Sequence, residues 1–310
     1  MTLTAIVLGS AAGGGFPQWN SAGPGCRRAR AGDRAAKPRT QTSLAVSADG
    51  VRWALLNAAP ELTHQMLATP ALHPAPAHGA VRHSPIAAAV LTGAEVDTVA
   101  GLLSLREGHA FALYAAPTTL DALRANPIFN VLNPMQVARR ALPLDAPVVL
   151  ADAAGESLGI EVLAFAVPGK VALFQEQGAD PGRADAGETI GLRVAAGGAS
   201  LFFVPGCAAM TEDLATRLRG AACVLFDGTL WQDDEMILAG AGSKTGARMG
   251  HMSVSGPQGT LAAFAGLDVR RKILIHLNNT NPVLLDDSAQ RAIVTQAGWD
   301  VAEDGMEIRL

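Results

Sequence analysis

Ten short apolar runs recur along the chain, each five to seven residues long: LTAIVLG (3–9), SLAVSA (43–48), WALLN (53–57), IAAAVL (86–91), AFALY (110–114), IEVLAFA (160–166), IGLRVA (190–195), SLFFV (200–204), ACVLFD (222–227) and KILIHL (272–277). Runs this short, rich in Val, Ile and Phe and separated by turn residues, read as buried strands. A last pair, 299–303 and 306–309, flanks Asp304-Gly305 and predicts a hairpin. Helices fit between strands at 61–69, 97–107, 117–125, 211–219 and 287–297. Thr211 is the expected N-cap of one and Asp287 or Ser288 of another, with Gly220 and Gly298 closing them. Residues 126–148 have weak periodicity and three prolines, which suits a crossover. Strands come in pairs before helices in the first half, and strand, strand, helix, strand repeats from about 158. That order argues for an α/β chain of two sheets packed face to face with helices outside. It is expected to be a single domain of two halves, about 1–145 and 146–310.

Composition narrows the function classes. The 310 residues are 49% hydrophobic, enough for a large core, and 24 basic against 28 acidic residues give a net charge of −4. A nucleic-acid or membrane-surface binder would usually be basic, so neither partner is expected. No apolar stretch reaches about 18 residues. No Lys or Arg precedes the first apolar run, which reads as a strand rather than a signal segment. Cys26, Cys207 and Cys223 are too few and too scattered for a disulfide framework, so reduced, buried thiols in a cytoplasmic protein are expected.

Three features could carry chemistry. The first strand runs into SAAGGGFPQWN, where Gly13, Gly14 and Gly15 let backbone N–H groups approach an anion, although the Lys-Ser/Thr of a P-loop is missing. The segment 26–41 holds Arg27, Arg28, Arg30, Arg34, Lys37 and Arg39 against Asp33. It reads either as a solvated surface or as a cap that draws in a small polyanion, since Arg pairs bidentately with carboxylates. Among seven histidines, His73 and His78 sit in a Pro/Ala loop, His64 falls on a helix and His109 in a turn. His251 lies inside SKTGARMGHMSVSGP, and His276 ends a strand directly before LNNTNP. Asp227 ends another strand. Polar groups collected at strand ends are where α/β proteins build sites.

Taken together, LGSAAGGGFPQWN, LTGAEVDTVAGLLSLREG, VPGCA, DGTLWQDDEM, KTGARMGHM, HLNNTNPVL and AGWDVAEDGMEI resemble the PqqB family of pyrroloquinoline quinone (PQQ) biosynthesis, in order and with matching spacing from about residue 3 to 309. The resemblance implies a metallo-β-lactamase fold, an αββα four-layer sandwich of two mixed sheets with helices outside. It implies a late role in making PQQ from a cross-linked Glu and Tyr. Such proteins are similar to iron(II)-dependent oxygenases that hydroxylate the tyrosine ring. The alternative is a non-catalytic carrier that transports or binds PQQ or its precursor. In both cases the ligand is a small polycarboxylate. Arg27, Arg39, Lys244, Asn278, Asn279 and the three glycines of the loop are then the expected substrate-binding residues. The oligomeric state is left open, a homodimer included.

Two departures from the family pattern bear on metals. Relatives carry Cys-x-Cys-x-x-Cys after Trp-Asn to hold a structural zinc. Here Ser21 and Gly23 replace two of the three, and Cys26 alone cannot close a tetrahedral site, so no structural zinc is expected. The superfamily motif His-x-His-x-Asp-His falls on Gly93, Glu95, Asp97 and Thr98, and no histidine stands near VPGK at 167–170. Asp97 and His276 remain, with His251 and Asp227 as further candidate ligands; Asp97, His251 and His276 would make a two-His, one-carboxylate set for iron(II), or zinc in its place. Glu95 and Asp227 are expected to tune a ligand or move a proton. A plain reading of Asp97, as a residue favoured at a helix start, stands beside this.

Overall fold

The computed structural model describes residues 2–75, 81–176 and 187–310; His78 falls outside them. Among the described residues, fourteen strands build two seven-stranded sheets. The first contains β1 (Thr4–Gly9), β2 (Ser43–Ser47), β3 (Trp53–Leu56), β4 (Ile86–Val90), β5 (Phe111–Ala115) and β6 (Val137–Ala141). The second contains β7 (Pro147–Ala151), β8 (Ser157–Ala166), β9 (Ile190–Ala196), β10 (Ala199–Val204), β11 (Cys223–Asp227), β12 (Arg271–Ile275) and β13 (Trp299–Val301). β14 (Glu307–Arg309) returns to the first sheet, on the outer side of β1.

Alternation along β8 shows how the layers form. Leu158, Ile160, Val162 and Ala164 are buried, while Gly159 and Glu161 between them face outward. The buried set meets Leu44, Val46, Leu56, Val90, Leu192, Val194, Leu225 and Ile273 in the core between the sheets. Each sheet has a second apolar face, and each is covered by helices. Leu62, Leu102, Leu120 and Leu123 pack on the first sheet, and Leu214, Leu218, Phe264 and Val294 on the second. The result is the αββα sandwich expected, a metallo-β-lactamase fold. No described helix is long and apolar enough to cross a membrane.

Local signals agree in detail. Thr211 caps its helix by accepting from the Leu214 N–H, and Ser288, rather than Asp287, caps the helix Ala289–Gln296 through the Arg291 N–H. Gly220 and Gly298 adopt φ of 70° and 74° just past those helices. The expected helix 97–107 is one α turn, Val96–Val99, tightening into a 3-10 segment over Ala100–Arg106. The stretch 126–148 is a crossover, but it also holds β6 and the start of β7, which its half-exposed Arg- and Pro-bearing edge strands do not advertise.

The Asp304-Gly305 turn does not make the expected hairpin. β13 pairs parallel with β12 in the second sheet, while β14 pairs antiparallel with β1 in the first. Each strand finds a longer partner in a different layer, and the turn links the sheets. Its anchor is the Asp304 carboxylate, which accepts from the Thr40 N–H (2.6 Å), the Thr40 hydroxyl (2.7 Å) and the Ser10 hydroxyl (2.9 Å). Asp304→Ala strands these donors and should lower the unfolding free energy by about 2 kcal/mol in urea titrations, with Asp304→Asn costing less. A loss below about 0.5 kcal/mol would show that the anchor is dispensable.

Candidate metal centre

β10, β11, β12 and β13 run parallel, and their C-terminal ends open onto a crevice facing the loop after β4. Asp227 is the last residue of β11 and His276 follows β12 directly. His276 has φ of 61°, in the left-handed region, a strained choice for a non-glycine that turns the chain as β12 ends. His251 follows the short helix Gly246–Met249, which ends at Gly250 with φ of 82°. The loop after β1 lies alongside: the Ala12 N–H donates to the Leu277 carbonyl (2.8 Å), which brings Gly13 next to Asp97.

These pieces bring two imidazoles and two carboxylates together. The His251 and His276 rings stack with centroids 5.2 Å apart. His251 Nδ1 lies 2.7 Å from Asp227 Oδ2 and His276 Nδ1 lies 2.9 Å from Thr229 Oγ1. The Thr229 hydroxyl donates to Asp227 Oδ1 (2.6 Å), so its oxygen is left to accept from His276 Nδ1–H. Asp227 Oδ2 is a bare acceptor, so His251 Nδ1 also carries its proton. Both rings therefore spend Nδ1 on positioning, the pattern by which metal-binding histidines are oriented. His276 Nε2 is 3.0 Å from Asp97 Oδ2. Asp97, His251 and His276 thus meet at one crevice, with Asp227 behind them.

Charges in the crevice support one another. Burial opposes ionisation of Asp97, yet the hydrogen bond and charge of His276, with the charge of His251, hold it below the usual carboxylate range. Asp227, also opposed by burial, is held down by the charge and hydrogen bond of His251. For His276 burial pulls down, but the Asp97 hydrogen bond and the charges of Asp97, Asp227 and Glu95 raise it above its ordinary value. A bound cation would replace that proton.

The crevice offers donors for a metal ion, and the compact set includes Asp227 rather than Asp97, which adjoins it through His276. One atom each from Asp227, His251 and His276 lie within 4.8 Å of one another, the one such set of three or more among the described residues. The 3.0 Å between His276 Nε2 and Asp97 Oδ2 matches the roughly 3 Å between neighbouring ligands of one ion. Asp97 does not cap its helix; Glu95 occupies that position, and the Asp97 carboxylate points to His276. Thr98 is buried and supplies no imidazole.

Other expected residues lie at graded distance from this centre. Glu95, two residues before Asp97, receives Lys170 Nζ at 2.8 Å. Asn278 Nδ2 donates to Thr280 Oγ1, and Asn279 Nδ2 to Gln18 Oε1 beyond Gly14 and Gly15. Lys244 lies near enough to Glu176 for its charge to be felt. The Arg-rich segment begins in the helix Pro24–Arg30, whose three arginines are engaged within the chain. Arg28 pairs with Asp33 and Asp287, Arg27 and Arg30 donate to carbonyls of residues 18–22, and the Arg39 side chain is fully buried beside Glu303. Cys26 is buried in that helix with its thiol 3.6 Å from Asn279 Oδ1. Burial pushes the Cys207 thiol up to about 12. Reading along the chain missed Thr229, Lys170, Glu176 and Arg248, whose roles depend on which loops meet.

The LNNTNP loop is fixed from beneath by Glu235, which accepts from the Thr280 hydroxyl and from the Trp231 N–H. Burial pushes the Glu235 carboxyl up to about 7, so the folded protein holds this proton more tightly than the unfolded chain. Its contribution is present in full below about pH 4.3 and is lost as pH rises through about 7. Glu235→Gln keeps the shape without the proton. The stability of wild type relative to this variant should fall by roughly 2–3 kcal/mol between about pH 4.5 and 8, measured by urea unfolding at each pH. A pH-independent difference would refute the buried acid.

The comparisons with known proteins agree with this architecture. The family described as Beta-lactamase superfamily domain matches residues 52–277. The chain is 59% identical over 304 residues to the coenzyme PQQ synthesis protein B of Gluconacetobacter diazotrophicus, covering 98% of each. To that of Xanthomonas campestris pv. campestris it is 53% identical over 306 residues, covering 98% of this chain and 99% of the other. A crystal structure of zinc-bound PqqB from Methylobacterium extorquens superposes with a TM-score of 0.93 at 46% identity, covering 99% of this chain and all of that one. A diphosphatase of the PhnP family shares the fold at 18% identity, with a TM-score of 0.70 over 100% of this chain and 98% of its own. The chain belongs to the β-lactamase superfamily and, within it, to the coenzyme PQQ synthesis protein B family.

Proposed function

We propose that this PQQ biosynthesis protein is an iron(II)- and oxygen-dependent hydroxylase acting on the tyrosine ring of a cross-linked Glu-Tyr precursor. The observation that carries this reading is the approach of Asp97 Oδ2 to His276 Nε2 at 3.0 Å, beside the stacked ring of His251, a two-His, one-carboxylate set. Iron(II) held there supplies the redox chemistry of oxygen insertion, which acid–base groups alone cannot perform. Asp227 fixes the His251 ring through Nδ1 and raises the basicity of its other nitrogen. Thr229 does the same for His276 through its hydroxyl oxygen. Glu95 is the less buried carboxylate, and in this reading it accepts a proton from the ring hydroxyl.

Reconstitution with iron(II) in the absence of oxygen, followed by measurement of bound iron and of oxygen consumption with the cross-linked Glu-Tyr substrate, tests the reading. Uptake with iron and none with zinc is expected. His276→Ala should abolish iron retention, and Asp227→Asn should lower iron affinity by roughly 10–100-fold. Tight binding of PQQ without oxygen uptake by the iron-loaded protein would sink the hydroxylase and leave a carrier.

A further inference from the structure

Beside the metal centre lies a cluster of ions of which the proposed function uses only Glu95. Arg248 leaves the short helix three residues before His251. Lys170 reaches across from the loop after β8, running past Gly250, where a β-carbon would come within 3.1 Å of Lys170 Cγ. Glu95 enters from the Asp97 side. Into this cluster projects the carboxylate of Glu176. Its Oε2 lies 3.1 Å from Arg248 Nη2, and its Oε1 lies 3.5 Å from both Arg248 Nη1 and Lys170 Nζ. The Glu176 side chain is only 10% exposed.

The way Glu176 is held is informative. It directly follows the 3-10 turn Leu173–Gln175, which has no buried residue, and Leu173 and Phe174 are 57% and 49% exposed. Apolar packing holds only its start, where Ala172 is buried against Ala94 and Ala122. Beyond that, the turn is held by the Glu176 pairing and by a long hydrogen bond from the Leu173 N–H to Glu95 Oε2 (3.4 Å). Withdrawing Glu176 would leave Lys170 and Arg248 facing Glu95 alone, with Lys244 nearby, an excess of positive charge at the crevice mouth. A guanidinium fork beside an ammonium suits a carboxylate, and exchanging one carboxylate for another keeps the charge balance.

We propose that Lys170 and Arg248 form the clamp for a carboxylate of the substrate, and that Glu176 holds this place as an internal stand-in which the ligand displaces. The proposal deepens the functional reading above and rests on it for the identity of the ligand as a polycarboxylate. It assigns the recognition role to residues flanking His251 rather than to the Arg-rich N-terminal helix, whose cations are engaged elsewhere.

The test is binding of PQQ, a polycarboxylate, to the metal-free and iron-loaded full-length protein by calorimetry. Glu176→Gln removes the competitor and should tighten binding about 10-fold, whereas Arg248→Gln should weaken it at least about 10-fold. The double variant should bind no tighter than Arg248→Gln, and Arg248→Lys should fall between Arg248→Gln and wild type. A gain in affinity from losing a native ion pair is not what a merely structural glutamate would give. Unchanged or weaker binding by Glu176→Gln, wild-type binding by Arg248→Gln, or no PQQ binding by either wild type or Glu176→Gln would overturn the clamp. Oxygen uptake is scored separately. Tightened binding without uptake counts against the hydroxylase alone, and uptake with unaltered affinity counts against the clamp alone.

Discussion

A carboxylate with no exposed surface must be satisfied from within, and the Asp227 carboxylate is satisfied by the groups that build the centre. Its Oδ2 accepts from the Cys207 N–H (2.8 Å) and from His251 Nδ1. Its Oδ1 accepts from the Thr229 N–H (3.0 Å) and hydroxyl. One residue at the end of β11 thereby sets the loop after β10, the loop after β11 and the approach of His251. Through Thr229 it also reaches His276. Replacing any one of these donors would leave part of a buried charge unpaired, so the four are fixed as a unit.

The two-sheet plan explains why such a unit sits where it does. The interior between the sheets is filled almost entirely with apolar side chains and leaves little room for polar groups. Polar residues collect where parallel strands stop and their backbone can turn, and here both sheets stop together. Asp97 comes from the first sheet and Asp227, His251 and His276 from the second, so the crevice exists only when the layers are docked. Burial strengthens each charge interaction across it. Burial by itself would neutralise these groups, but their mutual charges and hydrogen bonds outweigh it and shift His276 up and both aspartates down.

Much of the layer plan was legible in the sequence because period-two alternation and short apolar length are local properties. The caps at Thr211 and Ser288 were legible for the same reason. What could not be read was partnership. Asp304-Gly305 has hairpin chemistry, but which sheet each flanking strand joins depends on edges made elsewhere. Asp97, His251 and His276 stood out by residue type, and their meeting follows from the fold that the family resemblance implied. Thr229 looked like one more hydroxyl after a glycine, and only the direction of its hydrogen bond makes it the hub between two imidazoles. Arg248 and Glu176 carried no signal along the chain, because their pairing depends on which loops meet. The density of charge in the Arg-rich segment did not reveal the carboxylates that fold back onto Arg28 and Lys37.

The return of β14 to the side of β1 sets Thr4 opposite Arg309. That contact closes a loop almost as long as the described chain, among the most costly in chain entropy that the fold contains. The first sheet therefore cannot finish its own edge from its own half. A fragment holding only β1 to β6 would show unpaired N–H and C=O groups along β1, a template for other chains. The two halves resemble each other in architecture, yet they are interlocked by a strap three residues wide. Cooperativity between the sheets, and with it the integrity of a crevice drawn from both, is written into that short exchange.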